Sequence, residues 1–188
     1  MRADRPGEPT RPPRAALQPR PWLERIEPYR PGLHADSDDG SLASNESPLG
    51  ASARVVTAIT GAASQAHRYP DPLAGALRAE LAALHGVHPD QILVGNGSDE
   101  LIFLLAWAYL AQRGHAVCAD PPYRIDEIST YVVGARPTRL PLRDWAHDLD
   151  AMARIAADIA YMVNPHNLTG TVRSRAEIGH SPRPARPG

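Results

Sequence analysis

Five short segments carry residue types that could hold a small anionic, planar ligand. Gly95-Asn96-Gly97-Ser98-Asp99-Glu100 separates a short apolar run from a strongly apolar helical pattern. Glycines let a backbone turn tightly and approach a ligand. The unpaired N–H groups of a helix's first turn then point at an anion, aided by the helix dipole. The segment could thus form a phosphate cup to which Ser98 adds a hydroxyl donor, provided Asp99 and Glu100 turn their carboxylates aside. Pro121-Pro122-Tyr123 follows a predicted strand. Ligands of open α/β sheets sit beyond strand carboxyl ends, where Tyr123 could stack on a flat ring. Asn164-Pro165-His166-Asn167-Leu168-Thr169-Gly170 also follows a strand, and Asn167 offers an amide donor and acceptor. Arg68-Tyr69-Pro70-Asp71-Pro72 leads into a leucine-rich helix that Asp71 could cap. The fifth segment, Leu42 to Gly50, contains Asn45 and Glu46.

Taken singly, each segment has a plainer reading. Asn, Pro, Gly and Asp form ordinary turns. Tyr123 could be half-buried packing, and His166 reads as a solvated loop residue. Asp71 is fully explained by capping, which leaves Tyr69 unexplained.

The elements that would position these segments follow from periodicity. Residues 22–26 predict one short amphipathic turn, ended by Pro28 and Pro31. Residues 34–41 read as loop. Ala53, Val56 and Ile59 mark a helix, and Leu73, Leu77, Leu81 and Leu84 another, stopped by Gly86. Ile92–Val94 reads as a strand, followed by a helix from about Asp99. Ala116–Ala119, Thr138–Leu142 and Ile159–Val163 read as strands. Ile125, Ile128 and Val132 mark one intervening helix; Leu149, Met152 and Ile155 mark the next. Ser174-Arg175-Ala176-Glu177 is a capping box. Strands alternating with helices predict an α/β fold with a mostly parallel sheet covered on both faces. Residues 1–40 are expected to be a largely disordered arm, 41–178 an incomplete domain, and 179–188 a proline-broken disordered tail.

Composition narrows the chemistry. All 20 basic residues are arginine and none is lysine, so no lysine Schiff base or P-loop lysine is available in this chain. A net charge of -1 gives no argument for nucleic acid or an anionic membrane as partner. Cys118 is the single cysteine, which removes internal disulfides and cysteine-rich zinc sites and suggests a reducing, cytoplasmic setting. The arginine-bearing start has no apolar signal core. Leu101 to Ala111 is too short to cross a bilayer.

Together, in this order, the segments resemble the class I/II pyridoxal-phosphate aminotransferases of fold type I, most of all their histidinol-phosphate aminotransferase branch. The resemblance rests on Tyr29-Arg30-Pro31-Gly32, Asn45 to Gly50, Arg68 to Pro72, Gly95 to Glu100, Pro121 to Tyr123 and Asn164 to Gly170. It implies the large domain of a fold type I transferase and pyridoxal 5'-phosphate as cofactor. By that likeness, Gly97, Ser98 and Asp99 hold the cofactor phosphate, Tyr123 stacks on the ring, and Asn167 bonds the phenolic oxygen. Tyr69 reaches a neighbouring subunit's cofactor in a homodimer, and Asn45 and Glu46 line the substrate side. The implied reaction moves an amino group between an amino acid and a keto acceptor, both small molecules. A decarboxylase or cyclase of the same fold, and a non-catalytic partner of a full-length relative, are the alternatives. Leu168 departs from the pattern, which has proline there. A cis bond before a non-proline residue costs about 2.5–4 kcal/mol, so a trans bond that shifts Asn167 is expected. The pattern's ring-nitrogen aspartate, second tyrosine, lysine and carboxylate-binding arginine would follow residue 178 and are not in the sequence. The chain alone is therefore expected to be inactive.

Overall fold

The computed structural model describes residues 18–28, 45–110 and 112–180. The expectations for residues 1–17, for Tyr29 to Ser44 and for residues 181–188 lie outside these. Six α-helices and three strands are formed among the described residues: α1 (Ala53–Ala62), α2 (Gly75–His85), α3 (Gly97–Tyr109), β1 (His115–Asp120), α4 (Arg124–Val132), β2 (Arg136–Pro141), α5 (Leu149–Arg154), β3 (Ile159–Ala160) and α6 (Arg175–His180).

The three strands are all parallel, in the order β2-β1-β3. β1 pairs with β2 from His115 opposite Arg136 to Asp120 opposite Pro141. On its other side, Ala116 and Val117 of β1 lie opposite Ile159 and Ala160. β2 sits at the edge, where Pro137 and Pro141 are tolerated because one row of backbone donors is unused.

The period of two along β1 builds two cores. Ala116 and Cys118 face α3 and α4, where they meet Ala106, Leu110, Ala135 and Tyr161. Val117 faces the opposite way, against Met152 and Ala157, with Leu140, Leu149 and Ile155 around them. The chain thus leaves β1 through α4 to β2 on one side, then crosses back through α5 to β3 on the other. That reversal is a topological switch point, and it opens a crevice at the carboxyl ends of β1 and β3.

Local chemistry explains most boundaries. Ser52 caps α1 by accepting from Val55 N–H. Gly86 ends α2 at φ +65°. Ser174 accepts from Glu177 N–H at 3.2 Å, and Glu177 Oε2 accepts from Ser174 N–H at 2.8 Å, so the capping box at α6 is formed. Asp71 accepts from Leu73 N–H at 3.0 Å and Gly75 N–H at 2.7 Å, so it caps a helix that starts two residues later than the leucine pattern indicates. The early turn, a 3-10 helix over Pro21–Arg25, packs Trp22 against Gly134. A Cβ at Gly134 would meet that indole at 3.2 Å, and its φ of +82° also favours glycine.

Two strand expectations are corrected. Ile92–Val94 forms no strand: Ile92 has extended dihedrals, but no described strand lies beside it to complete a ladder. β3 stops at Ala160 instead of Val163; at Val163 the backbone meets His147 Nε2 at 3.1 Å, through either its N–H or its C=O according to the tautomer, in place of a strand neighbour.

Candidate active site

A cavity of about 550 Å³ opens at the switch point. Ser98 reaches it from the start of α3, Tyr123 from the turn after β1, and Asn167 from the loop after β3; Asn45 closes one side. Four sequence-predicted residues drawn from well-separated segments of the chain therefore share one wall.

Gly97 opens α3 at φ +79°, a left-handed conformation that an L side chain adopts only with strain. The carboxylates that would repel an anion there are turned aside. Asp99 Oδ1 accepts from Tyr123 O–H at 3.1 Å, and Glu100 Oε2 accepts from Asn96 Nδ2 at 3.1 Å and from Asn96 N–H. Gly97 N–H donates to the Gly95 carbonyl at 2.9 Å; the following N–H groups of a helix's first turn have no intrahelical acceptor and so remain available to a ligand.

Asn45 Nδ2 donates to Asn167 Oδ1 at 2.8 Å. This fixes the Asn167 amide and leaves its own NH₂ free of any acceptor among the described residues. The Asn167–Leu168 bond is not among the cis bonds of the described chain, which are Asp120–Pro121 and Asn164–Pro165. The trans bond does not remove Asn167 from the cavity wall.

The loop bearing Asn167 is clamped by two threonines. Thr169 and Thr171 hydroxyls donate to the Trp145 carbonyl at 2.8 and 2.6 Å. Thr169 Oγ1 also lies 3.1 Å from His166 Nδ1. His166 and His147 meet edge to face at 5.2 Å between ring centres. His166 is 2% exposed, which corrects its reading as a solvated residue: β3 ends early and folds the loop back over it. Burial, foremost, and then His166 and Arg173 hold His147 below the usual histidine pKa, against the raising effect of its hydrogen bond to Val163.

Tyr69 and Glu46 are not on the cavity wall. Tyr69 is fully exposed, on the turn before α2. Glu46 is an exposed neighbour of Asn45.

Sequence reasoning missed Asp126 and Tyr161. Both are buried and line the cavity. Asp126 lies one helical turn beyond Tyr123, and that spacing on a helix begun at a strand end was the available signal. Burial, then Glu127 and Asp99, push its carboxyl up to about 7. Glu127 faces elsewhere: its carboxylate takes Arg139 Nε at 2.6 Å and Nη2 at 2.9 Å.

A second cavity of about 410 Å³ lies by Arg143, Asp148, Arg173 and Glu177. Its charges are of both signs, with Arg173 and Glu177 paired at 3.0 Å. Among the described residues no group of three or more His, Cys, Asp or Glu could share a metal ion, and no helix is long and apolar enough to cross a membrane.

A parallel sheet covered on both faces, with a polar cavity at its switch point, defines the doubly wound α/β class of ligand-binding domains. Within that class the chain belongs to the class I and II aminotransferase family, whose model matches residues 38–180. It is 38% identical over 172 residues to histidinol-phosphate aminotransferase of Sphingopyxis alaskensis, covering 87% of this chain and 46% of that protein. The chain spans about half the length of the curated relatives it matches. The structure is similar to that of histidinol-phosphate aminotransferase from Sinorhizobium meliloti in complex with pyridoxal-5'-phosphate, with TM-score 0.64 and 29% identity over 66% of this chain and 35% of that one. A putative histidinol-phosphate aminotransferase from Erwinia carotovora atroseptica aligns with TM-score 0.67 and 32% identity, over 78% and 45% of the two chains.

Proposed function

We propose that this chain supplies the N-terminal half of a histidinol-phosphate aminotransferase-like cofactor site and does not complete the transfer by itself. The single observation that carries the reading is the convergence of Ser98, Tyr123 and Asn167 on one cavity at the sheet's switch point. The fit to pyridoxal 5'-phosphate is chemical: a helix start with its carboxylates turned aside, an aromatic face and a fixed amide. Pyridoxal phosphate supplies an electron sink for charge developing at a substrate's α-carbon.

In this reading Gly97 makes the turn, and the backbone N–H groups of Ser98 and Asp99 with the Ser98 hydroxyl bind the phosphate. Tyr123 covers one ring face, its hydroxyl oriented by Asp99. Asn167, oriented by Asn45, donates to the ring's phenolic oxygen. Asn45 and Glu46 border the space for a small amino acid or keto acid, and Tyr69 serves a second protomer of a homodimer. The setting is cytoplasmic. The sequence holds no lysine to tether the cofactor or relay the α-proton. A second reading, in which the chain docks on a full-length relative without catalysing, draws on the full exposure of Tyr69.

Equilibrium dialysis against pyridoxal phosphate tests the site. The expected result is saturable binding that Tyr123→Ala and Ser98→Ala each weaken roughly tenfold or more. After borohydride treatment the cofactor should still dialyse away from the chain. Absence of saturable binding, or binding indifferent to both substitutions, overturns the reading.

A further inference from the structure

His147 and His166 are two buried titratable side chains that the proposed cofactor site does not use. They are 3% and 2% exposed and meet edge to face at 5.2 Å. Each ring has one engaged nitrogen and one buried nitrogen without a partner among the described residues. His147 Nε2 lies 3.1 Å from both the N–H and the C=O of Val163, so it is satisfied in either tautomer and Nδ1 is left over. The Thr169 and Thr171 hydroxyls direct their protons to the Trp145 carbonyl. His166 Nδ1 is then the donor to Thr169 Oγ1 at 3.1 Å, and Nε2 carries the lone pair.

Two neutral rings suit this enclosure, and a charged one does not. A proton added to His166 goes to Nε2, and one added to His147 leaves Nδ1 a charged donor. Either way a buried cation finds no acceptor among the described residues, which is costly. The facing charge makes it worse: the Arg173 guanidinium donates to the His147 carbonyl at 3.0 and 2.7 Å. No carboxylate offsets it. Asp148 accepts from Ala151 N–H at 2.9 Å, Glu177 of α6 is held by Arg173 and Ser174, and Asp144 and Asp150 are exposed. His147 is accordingly held below the usual histidine pKa.

The pair sits under the loop that carries Asn167. Asn164 closes that loop on Arg173, accepting from its N–H at 2.8 Å and donating to its C=O at 2.9 Å. Inside it, His166 N–H donates to the Thr171 carbonyl and Gly170 N–H to the His166 carbonyl. The same threonines hold a strained turn, in which Asp144 and Trp145 stand at φ +52° and +63°. His166 thus joins the loop, the two hydroxyls and a turn that gains by relaxing.

We propose that His147 and His166 form a proton-operated latch on residues 164–173. With both rings neutral the loop is closed and Asn167 lines the cavity; one proton taken up by the pair opens the loop and withdraws Asn167 from Asn45. The inference goes beyond the cofactor reading and holds for any ligand of the cavity.

The test is ¹⁵N saturation-transfer spectroscopy of the chain without ligand at pH 7.5, 6.5 and 5.5, following the amides of His166, Asn167 and Gly170, with Val117 and Cys118 of β1 as controls. The expected result is an open-loop population that rises roughly tenfold per pH unit below about pH 6.5 at the loop amides and is absent at β1. His147→Gln with His166→Asn keeps an amide where each engaged ring nitrogen stands and cannot titrate in this range, so the rise should vanish; unchanged β1 shifts show that the variant is folded. A second readout needs no variant: in the wild-type closed state, ring ¹⁵N shifts of both histidines should stay those of neutral imidazole down to pH 5.5. A wild-type open population that does not change with pH, an equal rise in the double variant, or a closed loop with a cationic ring overturns the latch.

Discussion

Residues 113–178 and residues 45–95 carry equally clear amphipathic patterns, yet they end in opposite states. In the first region Val117, Cys118, Met152 and Tyr161 are buried in two cores on the faces of a sheet. In the second, Ala82 is the single buried residue among the described ones. Val56 and Ile59 of α1 and Leu73, Leu77 and Leu84 around α2 are half or more exposed. The difference teaches that periodicity specifies a face, not its cover. α5 has only six residues, but β1 stands opposite Leu149 and Met152. α1 has ten, and none of them is buried. Most helical stability comes from tertiary packing, so the two regions should behave as a stable and a labile part.

The largest contrast should appear in thiol chemistry. Cys118 is fully buried and its thiol is pushed up to about 12, chiefly by desolvation. In an Ile59→Cys variant, maleimide labelling followed by peptide mapping should modify the introduced thiol on α1 at least ~1000-fold faster than Cys118. Comparable rates would erase the distinction between the regions.

Core truncation sharpens the same contrast. Met152→Ala should cost about 2–5 kcal/mol in urea unfolding, whereas Ile59→Ala should change stability by less than about 0.5 kcal/mol. A similar cost at both positions would show that the α1 stripe is covered in solution.

Charge pairs follow the same division. Arg139→Ala strands the Glu127 carboxylate, 2% exposed, with only Arg124 at 3.6 Å, and should cost roughly 3 kcal/mol in the same unfolding assay. Asp90→Asn breaks a pair with Arg78 whose acid is 80% exposed, and should cost under about 1 kcal/mol.

The smallest effect is on pH dependence. His147 is held below its usual pKa in the folded chain, so the unfolded chain takes up the proton first as pH falls. Stability should be full above about pH 6.5 and fall below it by no more than ~1.4 kcal/mol per pH unit. His147→Gln should lose that slope in melts between about pH 7.5 and 5.5, a window set by the ordinary histidine pKa.

These two regions also explain what the sequence made legible. The helices, the three parallel strands and the capping box follow from spacing and caps that act within a few residues. Ser98, Tyr123 and Asn167 were legible because strand ends are marked by glycine and proline turns. Ile92–Val94 misled because strand pattern carries no information about whether a neighbour is present. His166 misled because its burial depends on hydroxyls of Thr169 and on Trp145, a contact 24 residues away from Thr169. Asp126 was hidden for a related reason: an acid in the first turn of a helix usually favours the dipole from the surface, and only the packing of α4 on α3 turns this one inward.

The most direct test of the cofactor site is a set of amide ¹H–¹⁵N spectra of the labelled chain, recorded with increasing pyridoxal phosphate. Saturable shifts concentrated at Gly97, Ser98, Tyr123 and Asn167 are expected, with α1 and the Arg143–Asp148 turn unmoved. Shifts centred on that turn or on α1, or none at the switch point, would contradict it.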